Sequence, residues 1–241
     1  MTRRIGKDPK NAALYLKRGE LHRLHRDWGA ALADYDRAER LDPRLAIVQF
    51  SRGRMFFEAD KPQQAKLWLD RFLTGQPDHL EALVTRARVL VKLGQRLAAA
   101  QDYSRAIAQL SRPRPELYLE RAQALAAAGG PHRDEALRGL DEGIQTLGPL
   151  VTLELLAIEL EVDGGRYDAA LARVEQIAAQ SPRKERWLAR RAEILRQAGR
   201  TAEARQAFTA ALAAIESLPA HRRKNKATAE LEKRARAALQ Q

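Results

Sequence analysis

One spacing constrains this chain more than any other feature, because matching residues recur every 34 positions. Gly19 and Gly53 are 34 residues apart, and so are Pro43 and Pro77. Alanines keep the same interval in two series, Ala31, Ala65, Ala99 and then Ala136, Ala170, Ala204. A fixed period of this length is typical of stacked helix–turn–helix units, each of which buries its apolar face against the next.

The first unit divides into two helices with apolar residues at helical spacing. We expect helix A near Ala12–His25 and helix B near Trp28–Arg40. Gly19 and Ala31 are small at the point where the two helices should cross, because a larger side chain would push them apart. Pro43 ends helix B, since proline cannot continue the hydrogen-bond ladder of a helix.

The residues of this unit resemble a tetratricopeptide repeat. The positions that carry the resemblance are Tyr15, Gly19, Ala31, Tyr35, Ala38 and Pro43. Six copies cover nearly the whole chain. The resemblance implies an all-α fold, a right-handed α-solenoid of helix–turn–helix repeats closed by a C-terminal capping helix. The heavy use of Ala, Arg and Leu suggests a bacterial source.

The period also predicts the domain boundaries. Residues 1–11 are interpreted as the remnant of an upstream repeat or as an N-terminal cap, because Asp8-Pro9 lies one period before Asp42-Pro43. Residues 12–218 form the six repeats. Residues 219–241 form a basic capping segment with one helix expected from Lys224 to Leu239. Its buried stripe is predicted to be Ala227, Leu231, Ala235, Ala238 and Leu239.

Two repeats depart from the pattern. The interval from Ala99 to Ala136 is 37 residues, so the fourth repeat carries three extra residues in its loops. A tolerated insertion is the simpler explanation, and a functional loop or a change of curvature is the alternative. In the fifth repeat Ile158 stands where a small residue is expected, which makes the crossing of its helices uncertain.

The sequence holds no constellation that would support catalysis, a cofactor or a metal. Cysteine is absent, which excludes a thiol nucleophile and leaves the redox compartment undetermined. His22 and His25 lie three apart on one helix, but no third metal ligand is evident near them. The spacing of a phosphate-binding loop is missing. We therefore expect a protein that is not an enzyme.

An arginine precedes the small helix-A residue in five repeats, at Arg18, Arg52, Arg86, Arg121 and Arg191. A structural role is the favoured interpretation, in which the stem packs and the guanidinium reaches a carboxylate of helix B. Asp34 and Asp102 are the expected partners of Arg18 and Arg86. The alternative is a functional ladder of basic residues.

The resemblance places a ligand groove on the helix-A side of the array. The residues expected to form this groove are Phe50, Arg54, Phe57, Val84, Arg88, Val91, Lys92, Leu119 and Gln123. We expect an extended or helical peptide there, with Phe50 and Phe57 as apolar anchors and with Arg54, Arg88 and Lys92 holding carboxylates. The alternative is that these side chains only fill the interior. The family's clamp for chaperone tails is not expected, since Leu16 and Glu20 replace its lysine and asparagine.

The C-terminal end provides a second candidate surface. Of the net charge of +12, the stretch from Arg183 onward contributes +9, from 15 Lys/Arg and 6 Asp/Glu. The basic patch consists of Arg222, Arg223, Lys224, Lys226, Lys233, Arg234 and Arg236. It is either a solvated cap or a contact for nucleic acid or an anionic membrane. The absence of aromatic residues there excludes base stacking by this segment.

The favoured function from sequence is therefore a protein-interaction adaptor, with electrostatic binding of nucleic acid or membrane as the alternative. The expected partner is a protein or peptide that carries acidic groups. Self-association through an uncapped repeat face is a further option. The chain as given favours the cytoplasm, and a periplasmic or exported location would apply if an upstream signal segment had been removed.

Overall fold

The computed structural model describes residues 1–240, which fold into helices and the turns between them. The backbone divides into two compact units, Met1–Ala136 and the residues from Leu137 onward. The helices that begin in the first unit are α1 (Thr2–Lys7), α2 (Ala12–Leu24), α3 (Trp28–Leu41), α4 (Ile47–Glu58), α5 (Pro62–Gly75), α6 (Leu80–Lys92), α7 (Arg96–Ala108), α8 (Pro115–Ala127) and α9 (Arg133–Leu147). Those of the second unit are α10 (Val151–Asp163), α11 (Tyr167–Gln180), α12 (Glu185–Gln197), α13 (Thr201–Glu216), α14 (Ala220–Arg223) and α15 (Lys226–Leu239).

The helices pair in the order that the period predicts. Helices α2, α4, α6, α10 and α12 are helix A of their repeats and pack on α3, α5, α7, α11 and α13. Each of these five hairpins turns through a residue with positive φ, at Arg26, Asp60, Gly94, Gly165 and Gly199. These turn positions keep the 34-residue spacing apart from the three extra residues of the fourth repeat, where a short 3₁₀ helix, Gly130–His132, precedes α9.

Small residues hold the helices of a pair close together, as predicted. A Cβ at Gly19 would lie 2.6 Å from a ring carbon of Tyr35. A Cβ at Gly53 would lie 2.7 Å from Cγ of Leu69. Ile158 occupies the corresponding position in the fifth repeat, and it is fully buried.

The predicted arginine pairs are present in the first unit. Arg18 donates two hydrogen bonds to Asp34, at 2.7 and 2.6 Å. Arg86 binds Asp102 in the same way and also reaches Asp70 of the preceding helix B at 2.9 Å. These contacts confirm the structural interpretation for Arg18 and Arg86, because each guanidinium ties helix A to helix B.

Arg52 shows a variant of the same arrangement. Its side chain is 2% exposed, and it binds Asp36 and Glu39 of α3 at 2.6 Å each. The residue at the position of Asp34 in this repeat is Trp68, and the Arg52 guanidinium lies 4.4 Å from the centre of its ring. An aromatic face thus replaces the carboxylate on helix B.

In the fifth repeat the arginine has moved to the opposite helix. Ala157 holds the position of Arg18, and Arg173 of α11 holds that of Asp34. Arg173 binds Glu161 at 2.7 Å and Glu154 at 3.2 Å on α10, and Asp141 of α9 at 2.7 Å. The ion pair between the helices is therefore kept with its polarity reversed.

The C-terminal helix packs against α13 and α12. It begins at Lys226 rather than at Lys224, because the side chain of Asn225 accepts a hydrogen bond from the backbone N–H of Ala227 and caps it. The short helix α14 precedes it. Thr228 is buried at the start of α15, whereas Ala227, which was expected in the buried stripe, is exposed.

Candidate functional site

The predicted groove residues belong to α4, α6 and α8, which lie on one side of the first unit together with α2. We call this side the helix-A face. Phe50 and Val84 of this set are only 6% and 2% exposed. The ring of Phe50 stacks on Phe72 at 5.5 Å and approaches His79 at 5.1 Å between ring centres. Both side chains therefore belong to the packing between helices, and the expected role of Phe50 as an anchor for a ligand is not supported.

Other predicted residues surround an open cavity of about 540 Å³. Phe57, Arg88, Val91, Lys92 and Gln123 are the predicted residues that line it. Val91 is 43% exposed despite its apolar side chain. Leu119 is half-buried on α8 and does not line the cavity.

The cavity also has lining residues that the sequence analysis did not single out. These are Arg96 and Tyr103 of α7 with Glu120, Ala124 and Ala127 of α8. The lining therefore combines two aromatic rings and small aliphatic side chains with three cations and one carboxylate. Such a surface suits a segment with an apolar side chain and polar groups around it.

Three positions of neighbouring helices meet on the helix-A face: one on helix A, one on helix B and one on the next helix A. We call such a set a polar trio. In the first repeat the trio is Glu20, Tyr35 and Ser51. The Tyr35 hydroxyl donates to Oε1 of Glu20 at 2.6 Å. Ser51 lies beside the same carboxylate and, against the effect of burial, helps to lower its pKa. Arg23 adds a hydrogen bond at 3.1 Å, so the carboxylate of Glu20 is fully engaged.

In the third repeat the same positions hold Arg88, Tyr103 and Glu120. Arg88 donates through Nε and Nη2 to the two oxygens of Glu120, at 2.9 and 2.8 Å. The Tyr103 hydroxyl lies beside the same carboxylate, and burial and that carboxylate raise the pKa of the phenol. The charge on helix A has changed sign, and a carboxylate on the next helix A balances it. The sequence predicts that Arg88 holds a carboxylate of a ligand, and its guanidinium is already bound to Glu120 within the protein.

In the second repeat the trio is Arg54, Leu69 and Thr85, and it is open. Leu69 is buried and offers no polar group, and the Thr85 hydroxyl donates to the backbone oxygen of Glu81 at 2.6 Å. Arg54 is half-buried, with its guanidinium 5.5 Å from the centre of the Phe50 ring. Among residues 1–240, no carboxylate forms an ion pair with Arg54.

The remaining cations at the cavity differ in how they are held. Lys92 binds Asp60 at 2.6 Å, and its Nζ lies 5.2 Å from the centre of the Phe57 ring. Asp60 is 82% exposed, so this pair is weak and easily exchanged for another anion. Arg96 is exposed and has no carboxylate partner in the described part of the chain.

In the trios of the first and third repeats, whose charged residue on helix A has a partner within the protein, the pKa values follow from burial and hydrogen bonding. We call these two trios closed. Burial is the largest influence on the pKa of Glu20 and of Glu120 and acts to raise both. Hydrogen bonds and the neighbouring arginines outweigh it, so each pKa lies below its ordinary value of 4.5. Burial and the adjacent carboxylates raise the pKa of Tyr35 and Tyr103 far above the usual range of a phenol. These groups are fixed hydrogen-bond partners and not groups poised to exchange protons near neutral pH.

The predicted basic patch lies on α14, the turn after it and α15. Two of its members have partners, because Arg234 lies 3.5 Å from Glu193 and Arg236 lies 2.7 Å from Glu232. The other five are exposed and form no ion pair within the described residues: Arg222, Arg223, Lys224, Lys226 and Lys233.

Among residues 1–240, no group of three or more His, Cys, Asp or Glu side chains is placed so that it could hold a metal ion. Within the same range, none of the helices has the length and apolarity needed to cross a membrane.

Comparison with known proteins decides the family. The family model described as Tetratricopeptide repeat matches residues 16–79 and 155–219, which together exceed half of the chain. The chain belongs to the tetratricopeptide repeat family. This confirms the family resemblance and the all-α class of helical repeats that the sequence predicts. Proteins of this family are generally non-catalytic scaffolds. No curated protein matches the sequence.

Solved structures support the fold of this tetratricopeptide repeat chain. A chain of the Naa15/Naa10 complex bound to HypK-THB is 16% identical with a TM-score of 0.65, covering 99% of this chain and 35% of that one. PilF of Pseudomonas aeruginosa is 13% identical with a TM-score of 0.56, covering 96% and 99%. A tetratricopeptide repeat protein of Parabacteroides merdae is 20% identical with a TM-score of 0.54, covering 96% and 88%.

Several lining residues could have been found from the sequence with one more step. Superposing the repeats by the 34-residue period puts Tyr35 and Tyr103 at the same position, and allowing one extra residue before α8 puts Glu120 at that of Ser51. The signal for Arg88 and Glu120 is a charged residue on one helix A and a residue of opposite charge at the facing position of the next helix A. Arg96 has no such signal, because it stands at the first residue of α7.

Proposed function

We propose that this protein is a non-enzymatic adaptor that binds a segment of a protein partner on the helix-A face of its first unit. The cavity of about 540 Å³ between α4, α6, α7 and α8 is the observation that carries the proposal. Membership of a family of protein-interaction scaffolds supports it. The neighbour with the highest TM-score among those described above comes from a complex of Naa15/Naa10 with HypK-THB.

The lining of the cavity favours a peptide over a small apolar ligand. Phe57, Val91, Ala124 and Ala127 supply the apolar part of the lining, and Arg96 and Gln123 add exposed polar side chains to it. The cavity is open along the helix-A face, so an extended chain can run past it and insert one side chain. Interfaces of this kind are dominated by a few anchored side chains surrounded by polar contacts.

Panning of a displayed library of random 12-residue peptides tests this proposal. Wild type should enrich a family of peptides, and Ala127→Trp should lose that enrichment because the indole fills the cavity. Leu67→Trp is the matched control, since Leu67 is 49% exposed on α5 and does not line the cavity. Failure of wild type to enrich any peptide, or equal enrichment by Ala127→Trp, would overturn the proposal.

The basic patch supports a second candidate function, electrostatic binding of nucleic acid or an anionic membrane. The observation that favours it is the set of five exposed cations without ion pairs. The test is binding of a 20-nucleotide single strand and of phosphatidylglycerol vesicles, each measured at low and moderate salt. Lys224→Glu with Lys226→Glu should abolish either interaction. Binding that is indifferent to salt or to these substitutions would reject this candidate.

A further inference from the structure

The open polar trio of the second repeat is the feature that neither the family nor the cavity explains. Positions 20, 54 and 88 are equivalent, and each holds a charged side chain. Glu20 and Arg88 find their partners within the protein, at 2.6 Å from the Tyr35 hydroxyl and at 2.8 Å from Glu120. Arg54 does not, because the two positions that would supply a partner hold Leu69 and Thr85.

A half-buried guanidinium without a carboxylate retains most of its capacity to bind an anion. It offers five N–H donors in a planar fork that fits a carboxylate. The Phe50 ring lies on one side of it and screens it from water there. A carboxylate arriving from outside would meet a cation that has been placed but not neutralised, and it would break no ion pair on binding.

Arg54 also lies next to the cavity. Phe57, which lines the cavity, is three residues further along α4, and residues three apart share one face of a helix at a distance of about 5–6 Å between their Cβ atoms. The Arg54 guanidinium lies over Phe50, one helical turn before Arg54 on α4, so a ligand residue that reaches it is a near neighbour of the residue whose side chain enters the cavity. The cations Lys92 and Arg96 at the cavity make the surrounding field positive as well.

We infer that the partner segment carries an acidic residue beside an apolar one, and that Arg54 binds the acidic side chain while the cavity takes the apolar side chain. This inference rests on the proposed function and adds the chemistry of the partner. Arg54 selects the acidic residue of the partner, whereas Arg88 has a structural role because it links α6 to α8 through Glu120.

An oriented library of eight-residue peptides with one fixed leucine and random neighbours tests this inference. Wild type should enrich Asp or Glu at a position beside the leucine, and Arg54→Gln should lose that enrichment. Arg71→Gln is the matched control, because it removes the same charge from α5, where Arg71 lies over the Trp68 ring 4.9 Å from its centre. For one enriched peptide, Arg54→Gln should weaken binding about tenfold, as for a lost charge-assisted hydrogen bond.

The outcomes separate this inference from the proposed function. Enrichment of leucine-containing peptides without an acidic preference would overturn the inference and leave the groove function in place. An acidic preference that persists in Arg54→Gln would overturn it too. If no peptide is enriched by wild type, the proposed function fails, and the inference fails with it. Thermal unfolding of Arg54→Gln at the wild-type temperature confirms that any loss of binding is local.

Discussion

The second and third repeats place an arginine at the same point of the helix-A face and use it differently. Arg88 is tied to Glu120 by two hydrogen bonds, and Tyr103 lies beside that carboxylate. Arg54 lies over the Phe50 ring and close enough to Tyr35 to offset part of the rise that burial causes in the pKa of that phenol. No carboxylate within residues 1–240 forms an ion pair with Arg54. The backbone positions are equivalent, so the difference comes from two substitutions, Leu69 for a tyrosine and Thr85 for a glutamate. The comparison shows how a repeat array can keep one site open while its neighbours are closed by internal partners.

The largest expected effect concerns the small residues under the trios. Gly19→Ala should lower the free energy of unfolding by about 2 kcal/mol, because its Cβ would lie 2.6 Å from the Tyr35 ring, which the bond to Glu20 holds in place. Gly53→Ala should lower it by about 1 kcal/mol, since no hydrogen bond holds the side chain of Leu69 that its Cβ would meet. Urea unfolding followed by circular dichroism measures both. Equal losses would show that the trio does not fix Tyr35.

The next effect compares the two arginines directly. Arg88→Met should lower the free energy of unfolding by about 1–2 kcal/mol, because Glu120 is left partly buried without its cation. The loss is no larger because Arg88 itself is 45% exposed. Arg54→Met should change it by less than about 0.5 kcal/mol, as no internal partner is lost. Thermal and urea unfolding of the two variants provide the measurement. A large loss at Arg54 would mean that its role is structural.

The pH dependence of stability tests the trio of the third repeat through the carboxylate of Glu120. The folded-state pKa of Glu120 lies below 4.5, so its stabilisation is present above pH 4.5 and is lost as the pH falls through the folded pKa. Glu120→Gln should therefore flatten the fall in unfolding free energy below about pH 4.5. Urea titrations between pH 3 and pH 6 would reveal this, and an unchanged slope would contradict the closed trio.

Glu161 of the second unit has a raised pKa, so its effect on stability depends on pH in the opposite direction. Burial is the main cause that raises its pKa above 4.5, and Asp141 and Glu154 add to it despite the hydrogen bond from Arg173. The contribution of Glu161 is therefore fully present below its unfolded pKa and is lost as the pH rises through the folded pKa. Glu161→Gln should remove that loss, and the same titrations test it.

The smallest effect is a gain. Thr85→Glu places a carboxylate at the position of Glu120 and should close the second trio, raising the free energy of unfolding by a few tenths of a kcal/mol, since the new pair is half-exposed. Thr85→Gln is the control for size and should not do so. Differential scanning calorimetry resolves the shift. No difference between the two would indicate that a glutamate at 85 does not reach Arg54.

The sequence predicted the fold well because the repeat fixes both register and contacts within one helix pair. Arg18 and Asp34 lie 16 residues apart in one hairpin, and their pairing is read from the pattern alone. Arg88 and Glu120 lie 32 residues apart in different repeats, so their contact depends on how one hairpin stacks on the next. The burial of Phe50 between α5 and the loop before α6 has the same origin, and so has the cavity.

The measurement that tests the central claim most directly is titration calorimetry of one enriched acidic peptide against Thr85→Glu and Thr85→Gln. We expect Thr85→Glu to bind at least about threefold more weakly than wild type, because the protein's own carboxylate competes for Arg54 and repels the incoming one, whereas Thr85→Gln should bind as wild type does. Equal affinity of both variants and wild type would contradict the claim that Arg54 is held open for the carboxylate of a partner.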